Sequence, residues 1–298
     1  MLSTRQLRYF DALARHRHFG RAAEECAVTQ PALSMQVREM EEMLGVRLVE
    51  RGRSGVRLTP VGEEAAARAR GVLTALADME RTIRDHGRLL EGRMRLGVIP
   101  SVAPYLLPRL LPEMERRFPG IEIALRESQT EQLVADLAHG DLDIVILSLP
   151  VEHPALETRA LFDDPFLLAV PEGSADFSGP LAQPEAILAA DLLLLEDGHC
   201  LRDQALNVCR NADARRLRRF GASSLSTLAQ LVANGQGVTL LPEMFVTSEG
   251  GTIPRVRLLR FADPVPSRTI GLAWRRTLPF AEDVEAVAAM ATACRPGA

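Results

Sequence analysis

Residues 18–41 read HFGRAAEECAVTQPALSMQVREME, and their spacing decides the fold of the N-terminal part of the chain. A first helix is expected from about Gly20 to Cys26, then a tight turn at Ala27-Val28, then a second helix. Thr29 is a natural N-cap, because a hydroxyl there accepts from backbone N–H groups that have no partner inside the helix. Pro31 sits at the helix start, where its missing N–H costs little. Leu33, Val37, Met40 and Leu44 recur at steps of four, three and four, so all four are expected to point inward. Gly45 stops the helix. Two short helices joined in this way make a helix-turn-helix.

Upstream, Leu7, Phe10 and Leu13, with Ala14, give one more apolar helix face. Downstream, Arg47–Leu58 fits a β-hairpin wing with an Arg-rich tip. The second helix of such a motif enters the DNA major groove. Thr29, Gln30, Pro31 and Ser34 lie at its leading end, and Gln36 and Arg38 are expected to face outward. Gln reads adenine through paired hydrogen bonds, and Pro can touch a thymine methyl. Arg51 and Arg53 on the wing suit phosphate or the minor groove. Residues 1–60 hold ten Arg against seven acids, a net of +3 in a chain of net −4. A basic head on an acidic body fits an anionic partner. All 35 basic residues are Arg, which excludes a P-loop lysine and Schiff-base chemistry.

A long helix is expected from Thr59 or Pro60 to about His86. Ala65, Ala69, Val72, Leu76, Met79 and Ile83 alternate steps of four and three, a heptad seam that favours pairing of two chains. Val72, Leu76, Met79 and Ile83 are the expected dimer contacts; packing of this face on its own domain is the alternative. Gly87 and Gly92 mark a hinge. The expected organisation is 1–58 winged helix-turn-helix, 59–90 linker helix and hinge, and 91–298 regulatory domain.

From residue 93 strands and helices alternate: strand Met94–Ile99, helix Tyr105–Phe118, strand Ile121–Arg126, helix Gln129–Ala138, strand Leu142–Ser148. Phe166–Val170, Leu192–Leu195, Val238–Leu241 and Arg268–Trp274 read as further strands, Leu225–Asn234 and Phe280–Thr292 as helices. The pattern predicts an α/β fold with largely parallel sheets. Ligands in such folds sit beyond the C-terminal ends of strands, which makes Ser101 and Thr130 candidate pocket residues. The N-terminus carries no apolar signal core and no run is long enough to cross a bilayer, so a cytoplasmic chain is expected and a transport protein is not. The four cysteines, Cys26, Cys200, Cys209 and Cys294, make no zinc pattern. No metal or cofactor is expected.

The first ninety residues resemble the LysR family of bacterial regulators. The resemblance rests on the Phe19–Met43 helix-turn-helix, Leu48-Val-Glu-Arg of the wing and Leu58-Thr-Pro-Val-Gly entering the linker. It implies a homodimer or dimer of dimers, a linker-helix contact, and a two-subdomain sensor shaped like a periplasmic solute-binding protein. Leu194-Leu-Glu-Asp-Gly-His-Cys-Leu-Arg-Asp-Gln-Ala-Leu-Asn-Val-Cys resembles the peroxide-sensing branch of that family, as do Ile99–Pro108, Gln129-Thr and Gly235–Pro242. In that branch two cysteines at this spacing, here Cys200 and Cys209, switch between thiols and a disulfide. The resemblance also implies a peroxide pocket of Ser101, Thr130, His199 and Arg268 around Cys200, with Asp203 coupling oxidation to helix unwinding. The Ser101 position is usually Thr there; the hydroxyl is kept and the methyl lost. The implied partners are a double-stranded DNA operator, a homodimer or homotetramer, hydrogen peroxide as signal, and RNA polymerase.

The residues themselves fit that chemistry. His199-Cys200 follows an apolar strand and should open a helix; a helix N-terminus favours thiolate, the form that attacks peroxide. Nine residues on in one helix, Cys209 would lie about 13.5 Å away on the opposite face. A disulfide needs Cα atoms within roughly 7 Å, so bond formation and helix exclude one another. Cys26 and Cys294 read as small apolar fillers. Two other functions stay open at this point: a regulator whose pocket binds a small organic effector, and a thiol peroxidase, against which the DNA-binding head argues.

Overall fold

The computed structural model describes residues 1–52, 55–84, 90, 92–177, 179–182, 187, 190–208, 217–249, 253–278 and 281–297. Arg53, Gly87 and Cys209 lie outside the described residues, as does the side chain of Arg51. Two compact units span Met1–His86 and Gly87–Ala298.

The first unit holds α1 (Thr4–His16), α2 (Phe19–Glu25), α3 (Gln30–Leu44), a hairpin of β1 (Val49–Gly52) and β2 (Gly55–Leu58), and α4 (Pro60–Arg84). Ser3 and Gln6 form a capping box at the start of α1. Thr29 caps α3 by accepting from the Ala32 N–H at 3.4 Å, and Gly45 ends it in the left-handed region, φ 68°. Phe10, Leu13, Ala22, Leu33, Val37, Met40 and Leu48 close the core. Leu44 departs from expectation: it is the last residue of α3 and is 41% exposed. One Glu41 carboxylate oxygen accepts from Leu48 N and Val49 N at 2.7 and 3.0 Å, fastening the wing to α3. The Leu58-Thr-Pro-Val-Gly stretch has a physical reason too. Thr59 Oγ1 donates to Arg47 O and accepts from Gly62 N, and a Cβ on Gly62 would meet Leu48 O at 2.0 Å. Only glycine lets α4 start so close to the wing.

In the second unit the order is β3 (Arg93–Val98), α5 (Ala103–Arg117), β4 (Glu122–Glu127), α6 (Thr130–His139), β5 (Ile144–Leu149), β6 (Leu156–Pro171), β7 (Leu181–Ala182) and β8 (Leu192–Leu195). There follow α7 (Cys200–Val208), β9 (Leu217–Ala222), α8 (Leu225–Ala233), β10 (Thr239–Pro242), α9 (Glu243–Ser248), β11 (Val256–Phe261), β12 (Ser267–Arg275) and α10 (Ala281–Ala293). Two separate cores make two lobes. The first is built on Leu96, Val98, Leu106, Ile144, Ile146, Ile270, Leu272 and Val287. The second is built on Phe166, Leu168, Leu193, Leu194, Leu228, Leu241 and Phe245.

The α/β class holds, but the sheets are mixed rather than largely parallel. β3 runs parallel to β4 and β5, and β8 to β9. The middle strands are antiparallel: β12 to β5 and β6, and β6 to β10 and β11. The reason is connectivity. The sixteen-residue β6 carries the chain from the first lobe into the second, and β12 returns beside it in the opposite sense. A Phe166–Val170 strand therefore covers only the end of β6. Among the described residues no helix is long and apolar enough to cross a membrane.

Candidate functional site

The seam between the two lobes holds several of the polar residues that the sequence singles out for a pocket. Ser101 follows β3 and precedes α5, at the carboxyl end of a parallel strand. Arg268, the second residue of β12, donates to Ser101 Oγ at 2.7 Å and to Ser101 O at 3.0 Å. Its Nε donates to Asp164 Oδ2 at 2.9 Å, and Asp164 Oδ1 accepts from Met244 N at 2.9 Å. Arg268 and Asp164 are 2% and 3% exposed, so this is a buried ion pair with its hydrogen-bonding capacity largely used. A buried guanidinium without such a partner is strongly disfavoured. Asp164 was missed by sequence reasoning. The signal was present in Asp163-Asp164, two acids directly before a strongly apolar strand.

Cys200 opens α7 and is half-buried. Leu201 and Ala205 of α7 are buried in the second lobe's core, yet Cys200 packs against the first. The turn before it is held from both lobes. Gln129 Nε2 donates to Asp197 O at 3.4 Å. Gly198, at φ +94°, lies so close to Gln129 that a Cβ would meet its Oε1 at 2.3 Å. Arg202 closes the turn from behind: it donates to Leu195 O at 3.0 Å and pairs with Asp197 at 3.0 Å. His199 is buried, its Nε2 3.7 Å from Glu196 Oε1. Thr130 begins α6, next to Gln129, and its Oγ1 is buried with no hydrogen-bond partner. An unmet buried hydroxyl costs about 1–3 kcal/mol, and a small polar ligand can remove that cost.

Thus Ser101 and Arg268 bond directly, and Gln129, the chain neighbour of Thr130, touches the turn that precedes Cys200. Asp203 is exposed on the first turn of α7. Tyr105 reaches both cores; its ring meets Phe245 edge-on at 5.5 Å, and burial pushes its hydroxyl pKa up to about 12. Burial also pushes the Cys26 and Cys294 thiols up, reinforced by the nearby charges of Glu25 and Glu113 respectively.

In the first unit Thr29, Gln30, Pro31 and Arg38 are exposed, while Ser34 and Gln36 are half-buried. Gln36 Nε2 donates to Glu39 Oε2 at 2.7 Å, so it is not a free outward group in this state. On α4, Val72, Met79 and Ile83 are exposed, Ile83 by 70%, and Leu76 is half-buried.

Residues 4–63 match the model of the bacterial regulatory helix-turn-helix protein, lysR family, and residues 87–294 match the LysR substrate binding domain. The chain is 43% identical over 292 residues to the DNA-binding transcriptional dual regulator OxyR of Escherichia coli K12, covering 96% of this chain and 94% of that one. The full-length OxyR of Pseudomonas aeruginosa with a cysteine-to-aspartate substitution superposes with a TM-score of 0.76 at 35% identity, covering 98% and 95% of the two chains. A cysteine-to-serine mutant of Corynebacterium glutamicum OxyR, with hydrogen peroxide bound, gives a TM-score of 0.65 at 32% identity, covering 98% and 92%. The winged helix-turn-helix, the two-lobed sensor and these similarities agree: the chain belongs to the LysR family of bacterial transcriptional regulators and is not an enzyme.

Proposed function

We propose that the chain is a cytoplasmic, peroxide-responsive regulator of oxidative-stress genes, switched by a reversible Cys200–Cys209 disulfide. The observation that carries this reading is the position of Cys200: first residue of a helix, half-buried, on the lobe seam, with buried His199 beside it. Ser101, Thr130 and His199 hold one peroxide oxygen in line with the sulfur, and Arg268 stabilises the charge on the departing oxygen. The unmet Thr130 hydroxyl supports that pocket. The Cys200 thiolate attacks; the O–O bond breaks, an S–O bond forms, and the hydroxide released takes a proton to become water. The Cys209 thiol then attacks the sulfenic sulfur; an S–S bond forms, the S–O bond breaks, and a second water leaves. Because the pair cannot bridge along an intact helix, α7 unwinds, with Asp203 taking part in that change.

The output passes through residues 59–90. Val72, Leu76, Met79 and Ile83 pair two linker helices, the sensors form a second interface, and a homotetramer sets the spacing of the DNA heads on its operator. Thr29, Gln30, Pro31, Ser34, Gln36 and Arg38 read or border the major groove, and Arg51 and Arg53 hold the backbone. RNA polymerase is the partner through which the reordered complex acts.

Intact mass after brief peroxide treatment tests the cysteine assignment. Wild type is expected to lose two hydrogens, Cys200→Ser to stay unmodified, and Cys209→Ser to gain one oxygen or over-oxidise. Unmodified wild type, or a linkage that excludes Cys200, contradicts it. A second reading is favoured by the match of residues 87–294 to a substrate binding domain: a small organic effector in the seam. It predicts that the Cys200→Ser protein still responds to its inducer.

A further inference from the structure

The helix that begins with Cys200 is tied to the opposite lobe at a second point. Gln204 stands one turn after Cys200, at i+4, so the two share the face of α7 that looks toward the first lobe. Leu201 and Ala205, the other i, i+4 pair, are sunk in the second lobe's core. Gln204 Nε2 donates to Ser148 Oγ at 2.5 Å. Ser148 lies in β5 of the first lobe, is buried, and donates onward to Thr269 O of β12 at 3.4 Å. The other half of the Gln204 amide, Oε1, is buried with no hydrogen-bond partner. Gln204 therefore holds α7 to the first lobe through one bond while carrying an unmet acceptor, an arrangement that is satisfied only in part while α7 stays folded.

We propose that Gln204 is a positioning residue for the Cys200 switch: its bond to Ser148 latches α7 in the helical, dithiol state, and release of that bond is one of the terms that set the thiol–disulfide equilibrium. The proposal rests on the Cys200–Cys209 reading above. When α7 unwinds, the Gln204 amide reaches water and both of its polar atoms are hydrated, so the latch is cheap to open. Removing Ser148 leaves both amide atoms of Gln204 unmet in the helical state alone. That state loses stability relative to the disulfide, although Ser148 is neither a cysteine nor a neighbour of one in the chain.

The test is the redox equilibrium of the full-length protein in glutathione buffers. There the two cysteines give up two electrons and two protons to glutathione disulfide, forming two glutathione thiols. Ser148→Ala is expected to shift the equilibrium toward the disulfide by about tenfold, or about 30 mV more reducing for two electrons. Adding Gln204→Met, which removes both polar atoms and keeps the side chain's length, is expected to return the midpoint to wild type or beyond. Circular dichroism of the reduced proteins establishes that each is folded, and a general packing defect does not produce the rescue. If wild type forms the Cys200–Cys209 linkage but both variants titrate with it, the latch is wrong and the switch stands. If wild type forms no such linkage, both fall together.

Discussion

Among individual residues, the lobe seam turns on one buried ion pair, Arg268 with Asp164. Arg268 and Asp164 are 104 positions apart in the chain and meet only where β12 lies against β6. The pair is buried in full, so removing one member leaves the other unpaired. Asp164→Ala is expected to destabilise the sensor by about 3–5 kcal/mol in urea unfolding. A loss within the range of an ordinary surface substitution would mean that Arg268 finds another partner or water. Burial raises the Cys26 and Cys294 thiols, which leaves less thiolate at neutral pH. Both should alkylate slowly at neutral pH and faster as pH rises, whereas Cys200 should be labelled first. Peptide mapping after timed iodoacetamide treatment orders them, and equal rates at neutral pH would remove the distinction.

At the scale of elements, local chemistry was readable wherever a cap or a period decided the outcome. Thr29 and Gly45 bound α3 as read, and the four-three spacing of Leu33, Val37 and Met40 does face the core. It failed for Leu44 because periodicity says which face a residue occupies, not whether anything covers it. β6 extends well beyond the Phe166–Val170 strand expected from the apolar pattern, which Glu157–Arg159 and Asp163–Asp164 interrupt. Those polar positions are tolerated where the strand faces water or meets Arg268. The exposed Val72, Met79 and Ile83 on α4 are the residues that a second linker helix would cover. Leu76→Glu is expected to weaken the dimer, seen as dissociation at low concentration in sedimentation velocity; an unaltered profile argues that the chains pair elsewhere. On the wing, Arg53→Ala is expected to reduce affinity across many DNA sequences and flatten the salt dependence by about one unit. Unaltered affinity and slope together would take Arg53 out of the interface.

At the scale of the whole molecule, the two lobes of the sensor have their own cores and share the seam where Cys200 stands. Under the proposed function, oxidation at this seam becomes a rearrangement of the DNA-bound assembly. What made the seam hard to read from sequence is that its members come from separate stretches, among them Ser101, Gln129-Thr130, Ser148, Asp164, residues 197–204 and Arg268. No local pattern joins them; the crossing of β6 and β12 does. The most direct measurement is a DNA footprint of the full-length protein on its operator, taken before peroxide, after peroxide, and after re-reduction with thiol, with disulfides mapped in the same samples. The footprint is expected to change in step with a Cys200–Cys209 linkage, to revert with it, and to stay fixed in Cys200→Ser. A footprint that changes equally in Cys200→Ser, or a linkage that forms while the footprint stays the same, would contradict it.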